Sequence, residues 1–464
     1  MSTENKTRRL PNTFILLFAL LGLIALATWF VPGGHYDTHV VNGKAVIDPA
    51  TFRYVDAHPQ GLVALLVAPL KGFVEAALII GFVLIVGGVF GVLHKTEAIA
   101  AFIRSVAAAH EHSSLVRAGL IPIFLALFSL GGASFGMAEE AIPFVLIFIP
   151  MALALRYDTV VGVAIPFVGS QIGFATAFLN PFNVGVAQGL VGLPLFSGLG
   201  YRFMCWALFT AVTIVFLMFY AARIRARPEL SSTFEMDQVK REQLQAADTG
   251  ERMTGRQQAV LIVFALSLAG MIVGVVSLGW YIEEIAALFL SMAIVAGLVG
   301  GLKQDEWVAA FLGGARDLVS TALVIALAKG TVVLMRDAHV IDSMLHALAP
   351  WVQSGSPMLA AQKMFGIQTV INFFIHSGTG QAALTMPLMG PLSDLVGVSR
   401  QTAILAFQFG ELSTPIIPTS AITVGVLSLA GVGYTRWVRW MLPLQAIYLV
   451  MALVLLVPPA LSGW

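Results

Sequence analysis

Apolar runs of about twenty residues recur along the chain, near 13–31, 74–93, 160–190, 200–222, 257–278, 284–301, 318–335, 402–430 and 441–461. That length lets an α-helix cross the hydrocarbon of a bilayer. Two further stretches, 118–155 and 365–392, are apolar double segments interrupted by glycine and small polar residues, the pattern expected of re-entrant hairpins. Four interruptions therefore sit inside apolar sequence. Two are the hairpin tips, Gly131-Gly132-Ala133-Ser134-Phe135-Gly136 and His376-Ser377-Gly378-Thr379-Gly380-Gln381. The other two, Asn180-Pro181-Phe182-Asn183 and Ser413-Thr414-Pro415-Ile416-Ile417-Pro418-Thr419-Ser420, lie midway along runs of about thirty residues. Proline removes a backbone donor and clashes with the preceding turn, so these helices are expected to break and expose carbonyls. Irregular backbone at membrane depth persists only where it is buried in protein or lines a wet cavity. A kinked helix whose hydroxyls bond its own backbone is the plain reading of any single break. Four breaks in two matched pairs point instead to one polar cavity.

The pairs match because the chain repeats itself. Lys71-Gly72-Phe73-Val74-Glu75, running through Gly87-Gly88 to His94-Lys95, has a counterpart in Gly313-Gly314-Ala315-Arg316-Asp317, running through Lys329-Gly330 to Arg336-Asp337. Setting Gly88 on Gly330 also sets Gly72 on Gly314, Glu75 on Asp317 and Ile99 on Ile341. Phe135-Gly136-Met137-Ala138 leading to Pro143 matches Thr379-Gly380-Gln381-Ala382 leading to Pro387. The register between the broken helices stays open, since either Val184-Gly185-Val186 on Val424-Gly425-Val426 or Gly173 on Gly410 is acceptable. The halves cross the membrane in opposite senses, and inverted repeats of this kind characterise secondary transporters, which bind cargo where the repeats meet. The expected organisation is a first repeat over 1–222, a charged linker over 223–256, a linker span over 257–278 that restores parity, and a second repeat over 279–464. The linker reads as solvated and part helical. Segments 95–112 and 337–352 look amphipathic and are expected to lie along the two membrane surfaces.

Composition narrows the class. The 464 residues are 58% hydrophobic and 11% charged, with mean hydropathy +0.88, far from a soluble globular balance. The net charge of +1 argues against nucleic-acid binding, and the lone Cys205 excludes a disulfide framework. The first apolar run lacks a small-residue cleavage site and is expected to stay as a span. Lys6, Arg8 and Arg9, then Arg223, Arg225 and Arg227, then Arg436 and Arg439 fall on one side. The positive-inside rule makes that side cytoplasmic, with the amino terminus inside and the sparsely charged 33–60 loop outside. The expected setting is a multi-pass protein of the cytoplasmic (inner) membrane.

Cargo candidates follow from the breaks: Ser134, Gly136, Glu139, Glu140, Asn180, Asn183, His376, Ser377, Thr379, Gln381, Thr414, Thr419 and Ser420. Ser134, Asn180, Ser377, Thr379, Ser413 and Thr414 supply oxygens suited to a coupling Na⁺. The helix starts after each tip direct N–H groups at the cavity and favour an anionic group there. Charges at membrane depth are functional candidates by default: Glu139, Glu140, Glu411 and Lys329, joined by the titratable His376. Glu139 and Glu140 are adjacent, so at most one faces the site squarely; the alternative for either is a structural ion pair or helix-start charge. Glu75 and Asp317 read as capping charges. No HExxH pair is present, no metal or cofactor is implied, and a membrane enzyme or a channel fits the pattern less well than a carrier.

With those segments in view, the chain resembles the YfcC-like members of the anaerobic C4-dicarboxylate carrier family over nearly its whole length. The residues that carry the resemblance are Arg9-Leu10-Pro11-Asn12-Thr13-Phe14, Trp29-Phe30-Val31-Pro32-Gly33-Gly34, Phe135-Gly136-Met137-Ala138-Glu139-Glu140, Asn180 through Gln188, and Ser377 through Ala382. The resemblance implies an all-α membrane protein with paired hairpins, broken helices, a scaffold that forms a homodimer and elevator-type movement of the cargo domain. It leaves cargo open between basic amino acids, carried by antiport, and C4-dicarboxylates. Three glutamates against one lysine near the expected cavity favour a basic amino acid, with a dicarboxylate as runner-up. Coupling to Na⁺, to H⁺ or to counter-substrate alone are all compatible with the residues.

Overall fold

The computed structural model describes residues 13–41, 44–246, 253–278, 280, 282–353 and 355–464. The basic cluster Lys6, Arg8 and Arg9, the opening as far as Asn12, and residues 247–252 of the linker lie outside these. After α1 (Thr13–Ala27), the first half contains α2 (Leu62–Glu75), α3 (Ala77–Lys95), α4 (Ala98–His112) and α5 (Ser114–Phe135). A 3-10 turn over Glu139–Phe144 then leads into α6 (Val145–Ala154), followed by α7 (Thr159–Val163), α8 (Gly169–Ala175), α9 (Val186–Leu190) and α10 (Leu199–Ala226). The linker carries α11 (Phe234–Ala246), and α12 (Gly255–Leu278) follows it. The second half contains α13 (Ile282–Gly300), α14 (Gln304–Asp317), α15 (Val319–Asp337), α16 (Val340–Leu348), α17 (Pro357–Phe374), α18 (Gly378–Leu395), α19 (Arg400–Gly410) and α20 (Ala421–Ala430). The chain ends with α21 (Tyr434–Leu455) and α22 (Val457–Ser462). Among the described residues six helical stretches are long and apolar enough to cross a membrane, so this is a multi-pass membrane protein.

The boundaries of the repeated segment recur 242 residues later: 62 and 304, 75 and 317, 77 and 319, 95 and 337. The left-handed residues closing the two segments, Glu97 (φ 59°) and His339 (φ 57°), keep the same spacing. Contacts between the segments are reciprocal, with α2 packed along α15 and α3 along α14. A methyl group on Gly72 would collide with the Ala326 carbonyl, and one on Gly314 would collide with the Gly87 carbonyl. Backbone-to-backbone approach of this kind is how helices associate in lipid, where apolar burial gives no drive. Two ion pairs close one end of the α2–α15 contact: Lys71 Nζ to Asp337 at 2.5 Å, and Arg336 to Glu75.

A layer built from α1, α2, α3 and α12–α15 faces a second built around α5–α9 and α17–α20. The layers touch where α15 packs on α20. The expected breaks lie within the second layer. The first long apolar run leaves helical geometry after Ala175 and resumes at Pro181; the second changes to a 3-10 turn over Glu411–Ile416 and resumes as α20 at Ala421.

Two features differ from the sequence reading. The 33–60 loop is not plain coil in an all-α protein. There β1 (Gly33–His35) pairs antiparallel with β4 (Arg53–Val55), and β2 (Thr38–Val41) pairs with β3 (Lys44–Ile47). Strands of three or four residues are too short for a search for membrane-length apolar runs to register. This lobe docks on α16. Gly34 N donates to His339 O at 2.8 Å, Tyr36 N to an Asp342 carboxylate oxygen at 3.0 Å, and Phe52 stacks on His346 with centroids 3.7 Å apart.

The second difference is the linker, expected to be solvated. Its Asp237 is buried, accepting from Thr159 N (3.1 Å), Thr159 Oγ1 (2.5 Å) and Thr233 Oγ1 (2.7 Å). Lys240 Nζ donates to Ala430 O at 2.8 Å. One face of α11 thereby holds the start of one broken helix and the end of the other. Removing a buried acceptor strands its donors. Asp237→Ala is therefore expected to expose Lys240 and Arg241 to trypsin at least about tenfold faster, which limited proteolysis of the purified protein would measure.

Candidate substrate cavity

Both tips, both breaks and α15 contribute to one cavity of about 230 Å³. Its lining includes Glu75, Gly136, Glu139, Gln171, Phe174 and Phe182 from the first half, with Lys329, His376, Ser377, Gly378, Thr379, Glu411 and Thr414 from the second. Residues more than 240 positions apart in the chain thus face a common space.

The first tip turns at Gly136, whose φ of +82° is unfavourable for any residue with a side chain. A Cβ there would also lie 2.8 Å from Asn180 Oδ1. The turn sends Glu139 into the cavity and withdraws Glu140, which is buried and accepts from Ala138 N at 2.9 Å. The second tip starts α18 with Ser377 as its N-cap, the hydroxyl accepting from Gly380 N at 3.3 Å. The first-turn amides of Gly378 and Thr379 have no acceptor within the helix, and both residues line the cavity. That end of the site favours negative charge.

The breaks are braced by their own polar side chains. Asn180 Nδ2 donates to Gly132 O at 3.3 Å, and its Oδ1 accepts from Phe182 N at 2.8 Å. Asn183 donates to Phe174 O at 3.2 Å and to the Glu411 carboxylate, joining the two broken helices. Asn372 donates to Ser413 Oγ and Thr414 Oγ1, both at 3.0 Å. Thr419 donates to Phe373 O, and Ser420 accepts from Thr423 N at 3.3 Å. Gln381 donates to Gln368 O at 2.9 Å, and Thr379 Oγ1 donates to Phe182 O at 2.8 Å, tying the second tip to the first broken helix.

Of the residues singled out from sequence, Gly136, Glu139, His376, Ser377, Thr379 and Thr414 line the cavity, together with Glu411 and Lys329. Glu140, Asn180, Asn183, Gln381, Ser413, Thr419 and Ser420 stand behind it as braces. Ser134 is turned away. Its hydroxyl donates to Leu130 O at 2.6 Å, and it borders a separate apolar cavity behind the first tip. The capping reading of Glu75 needs revision: its carboxylate accepts from Arg336 while the residue lines the cavity. Sequence reading passed over Gln171, Phe174, Phe182 and Asn372. For Gln171 and Asn372 a signal existed, because each is an amide inside an apolar run.

Among the described residues, five buried polar atoms at this site lack a protein partner: Gln171 Nε2, His376 Nδ1, Asn183 Oδ1, Asn372 Oδ1 and Gln381 Oε1. The first two belong to cavity-lining residues, where a guest can satisfy them. Against them stand Glu139 and Glu411, with Lys329 on the facing layer. Among the described residues Lys329 has no ion pair within 4 Å, and it lines the same cavity as Glu139 and His376.

The family model described as C4-dicarboxylate anaerobic carrier matches residues 10–459. The chain belongs to this family. It is 36% identical to YfcC of Escherichia coli K12, a protein to which basic amino acid antiport is ascribed, over all of this chain and 99% of that one. A Haemophilus influenzae protein of unassigned function is 26% identical over 98% of each chain. Two solved structures are also similar, each at 17% identity. They are the Alcanivorax borkumensis YdaH transporter, at a TM-score of 0.42 covering 98% of this chain and 99% of that one, and Neisseria gonorrhoeae MtrF, at 0.43 covering 97% and 95%.

Proposed function

We propose that this carrier exchanges basic amino acids across the cytoplasmic membrane by alternating access. The observation that carries the reading is the set of ionisable side chains lining the cavity. Glu75 is engaged by Arg336, leaving Glu139 and Glu411 against Lys329. With all three ionised the site holds one excess negative charge. A basic amino acid, net +1, neutralises it; a C4-dicarboxylate would deepen the excess. The α-carboxylate belongs at the Gly378 and Thr379 amides, and the cationic end belongs between Glu139 and Glu411. Gln171 and His376 have free donor or acceptor capacity for the remaining polar groups.

The same proposal takes the two halves as an inverted repeat with the amino terminus inside. It reads α5–α6 and α17–α18 as re-entrant hairpins. The second layer is the moving element of an elevator, and the first is a scaffold that pairs in a homodimer. Support comes from the shared 242-residue spacing of helix ends and the reciprocal α2–α15 and α3–α14 packing. Coupling by Na⁺ fits Ser413, Thr414 and the unpartnered Asn372 Oδ1; coupling by H⁺ fits Glu139.

Proteoliposomes loaded with arginine should take up labelled arginine, lysine or ornithine, and unloaded vesicles should not. Succinate or fumarate should neither drive nor inhibit this. Saturable exchange of dicarboxylates with no basic amino acid uptake would replace the cargo assignment. Imposed Na⁺ or pH gradients, applied separately, decide the coupling.

A further inference from the structure

We propose that Lys329 is a tethered surrogate for the cargo's cation, and that it makes the protein an obligate exchanger. This rests on the cargo reading above and goes further, because it explains why an unloaded carrier does not return. Three observations combine. First, Lys329 is the cavity's one Lys or Arg among the described lining residues, and it projects from an otherwise apolar face of α15 between buried Ala328 and Gly330. A lone ammonium at membrane depth is costly unless something answers its charge. The other cations at the end of α15 and on α2 are already engaged, Arg336 by Glu75 and Lys71 by Asp337. Second, the carboxylates that can answer it, Glu139 and Glu411, stand on the opposite layer, following the first tip and at the second break. Third, the lysine stem has four flexible carbons and a compact head, so the ammonium can swing across a cavity of this size without helix movement.

A basic amino acid and Lys329 therefore compete for the same carboxylates. When cargo is present, its guanidinium or ammonium neutralises Glu139 and Glu411, and Lys329 is released to the cavity wall. When cargo leaves, the Lys329 ammonium, which in the arrangement described above has no ion pair within 4 Å among the described residues, swings across to take its place and forms an ion pair between the two layers. That bond must break before one layer can slide on the other, so the empty carrier stays put until new cargo displaces the lysine. A ligand shifts such an equilibrium only by its differential affinity for the two states. Here the difference comes from cargo replacing the lysine at Glu139 and Glu411.

The test compares exchange with net efflux in proteoliposomes loaded with labelled arginine, diluted into buffer with or without external arginine. Wild type should exchange at least about thirtyfold faster than it loses arginine to empty buffer. Lys329→Gln should bring that ratio below about three, chiefly by raising net efflux, while Lys329→Arg keeps it near wild type. An unchanged ratio in Lys329→Gln overturns the proposal, as does loss of exchange and efflux in equal proportion, which marks a purely structural lysine. If Lys329→Gln does not reach the membrane, Glu139→Gln at saturating arginine removes the partner from the other side and should raise net efflux in the same sense. An unchanged ratio there counts against the proposal equally. A wild type that shows no arginine exchange fails on cargo. One that exchanges arginine but also loses it freely to empty buffer keeps the cargo assignment and loses only the lysine's role.

Discussion

Glu411→Gln should lower kcat/KM for arginine exchange at least about 100-fold while leaving the protein folded. The substitution keeps the shape and the oxygen that accepts from Asn183, so the link between the two broken helices survives. What disappears is one of the two carboxyl groups that the proposal sets against the cargo's cation. Removing one partner of a desolvated charge pair costs about 2–5 kcal/mol, and each 1.4 kcal/mol is about tenfold in a binding constant. The loss should fall on cationic cargo and not on protein stability. Initial-rate exchange kinetics together with a melting curve in detergent would check both halves of the statement. Exchange within about threefold of wild type would remove Glu411 from the binding machinery and leave it a brace between helices.

The second large effect concerns packing. Gly314→Ala should cost about 1–3 kcal/mol or more, whereas Gly313→Ala, one residue earlier on the same helix, should be nearly silent. A Cβ at Gly314 meets the Gly87 carbonyl and the backbone of Gly91, none of which can rotate away; a Cβ at Gly313 meets nothing within 4 Å. Gly72→Ala should behave like Gly314→Ala, because the Ala326 carbonyl blocks it in the reciprocal contact. Melting temperatures of the three variants provide the comparison. Equal behaviour of Gly313→Ala and Gly314→Ala would show that the two helix pairs are not held by backbone approach.

The cavity was partly legible in advance for a definite reason. Hydroxyls, carboxylates and imidazoles are rare in membrane-length apolar runs, so Glu139, His376, Thr379 and Thr414 stood out by being there at all. The same rarity marked Asn180, Asn183, Ser413, Thr419 and Ser420, which stand outside the lining of this cavity and brace the broken backbone. A polar residue in an apolar helix must be satisfied, but its sequence neighbours do not say by what. Asn183 is the clearest instance: its amide answers Phe174 O nine residues away and Glu411 more than 200 residues away. Ser134 illustrates the opposite outcome, bonding the carbonyl four residues before it and turning from the cavity. The capping assignment of Glu75 missed its cavity position because its partner, Arg336, lies 261 residues on.

What the sequence by itself determined is whatever depends on local chemistry: where helices can cross a membrane, where glycine and proline forbid them to continue, and that the segment 62–97 has a counterpart 242 residues on, over 304–339. Those features follow from backbone hydrogen bonding and side-chain solvation, which each segment must satisfy wherever it sits. The tertiary structure alone decided which of two adjacent glutamates enters the cavity, that the charged linker grips both broken helices, and that Lys329 confronts Glu139 and Glu411 across a boundary between layers. Those depend on contacts between segments hundreds of residues apart, and periodicity within a segment carries no record of its distant partner.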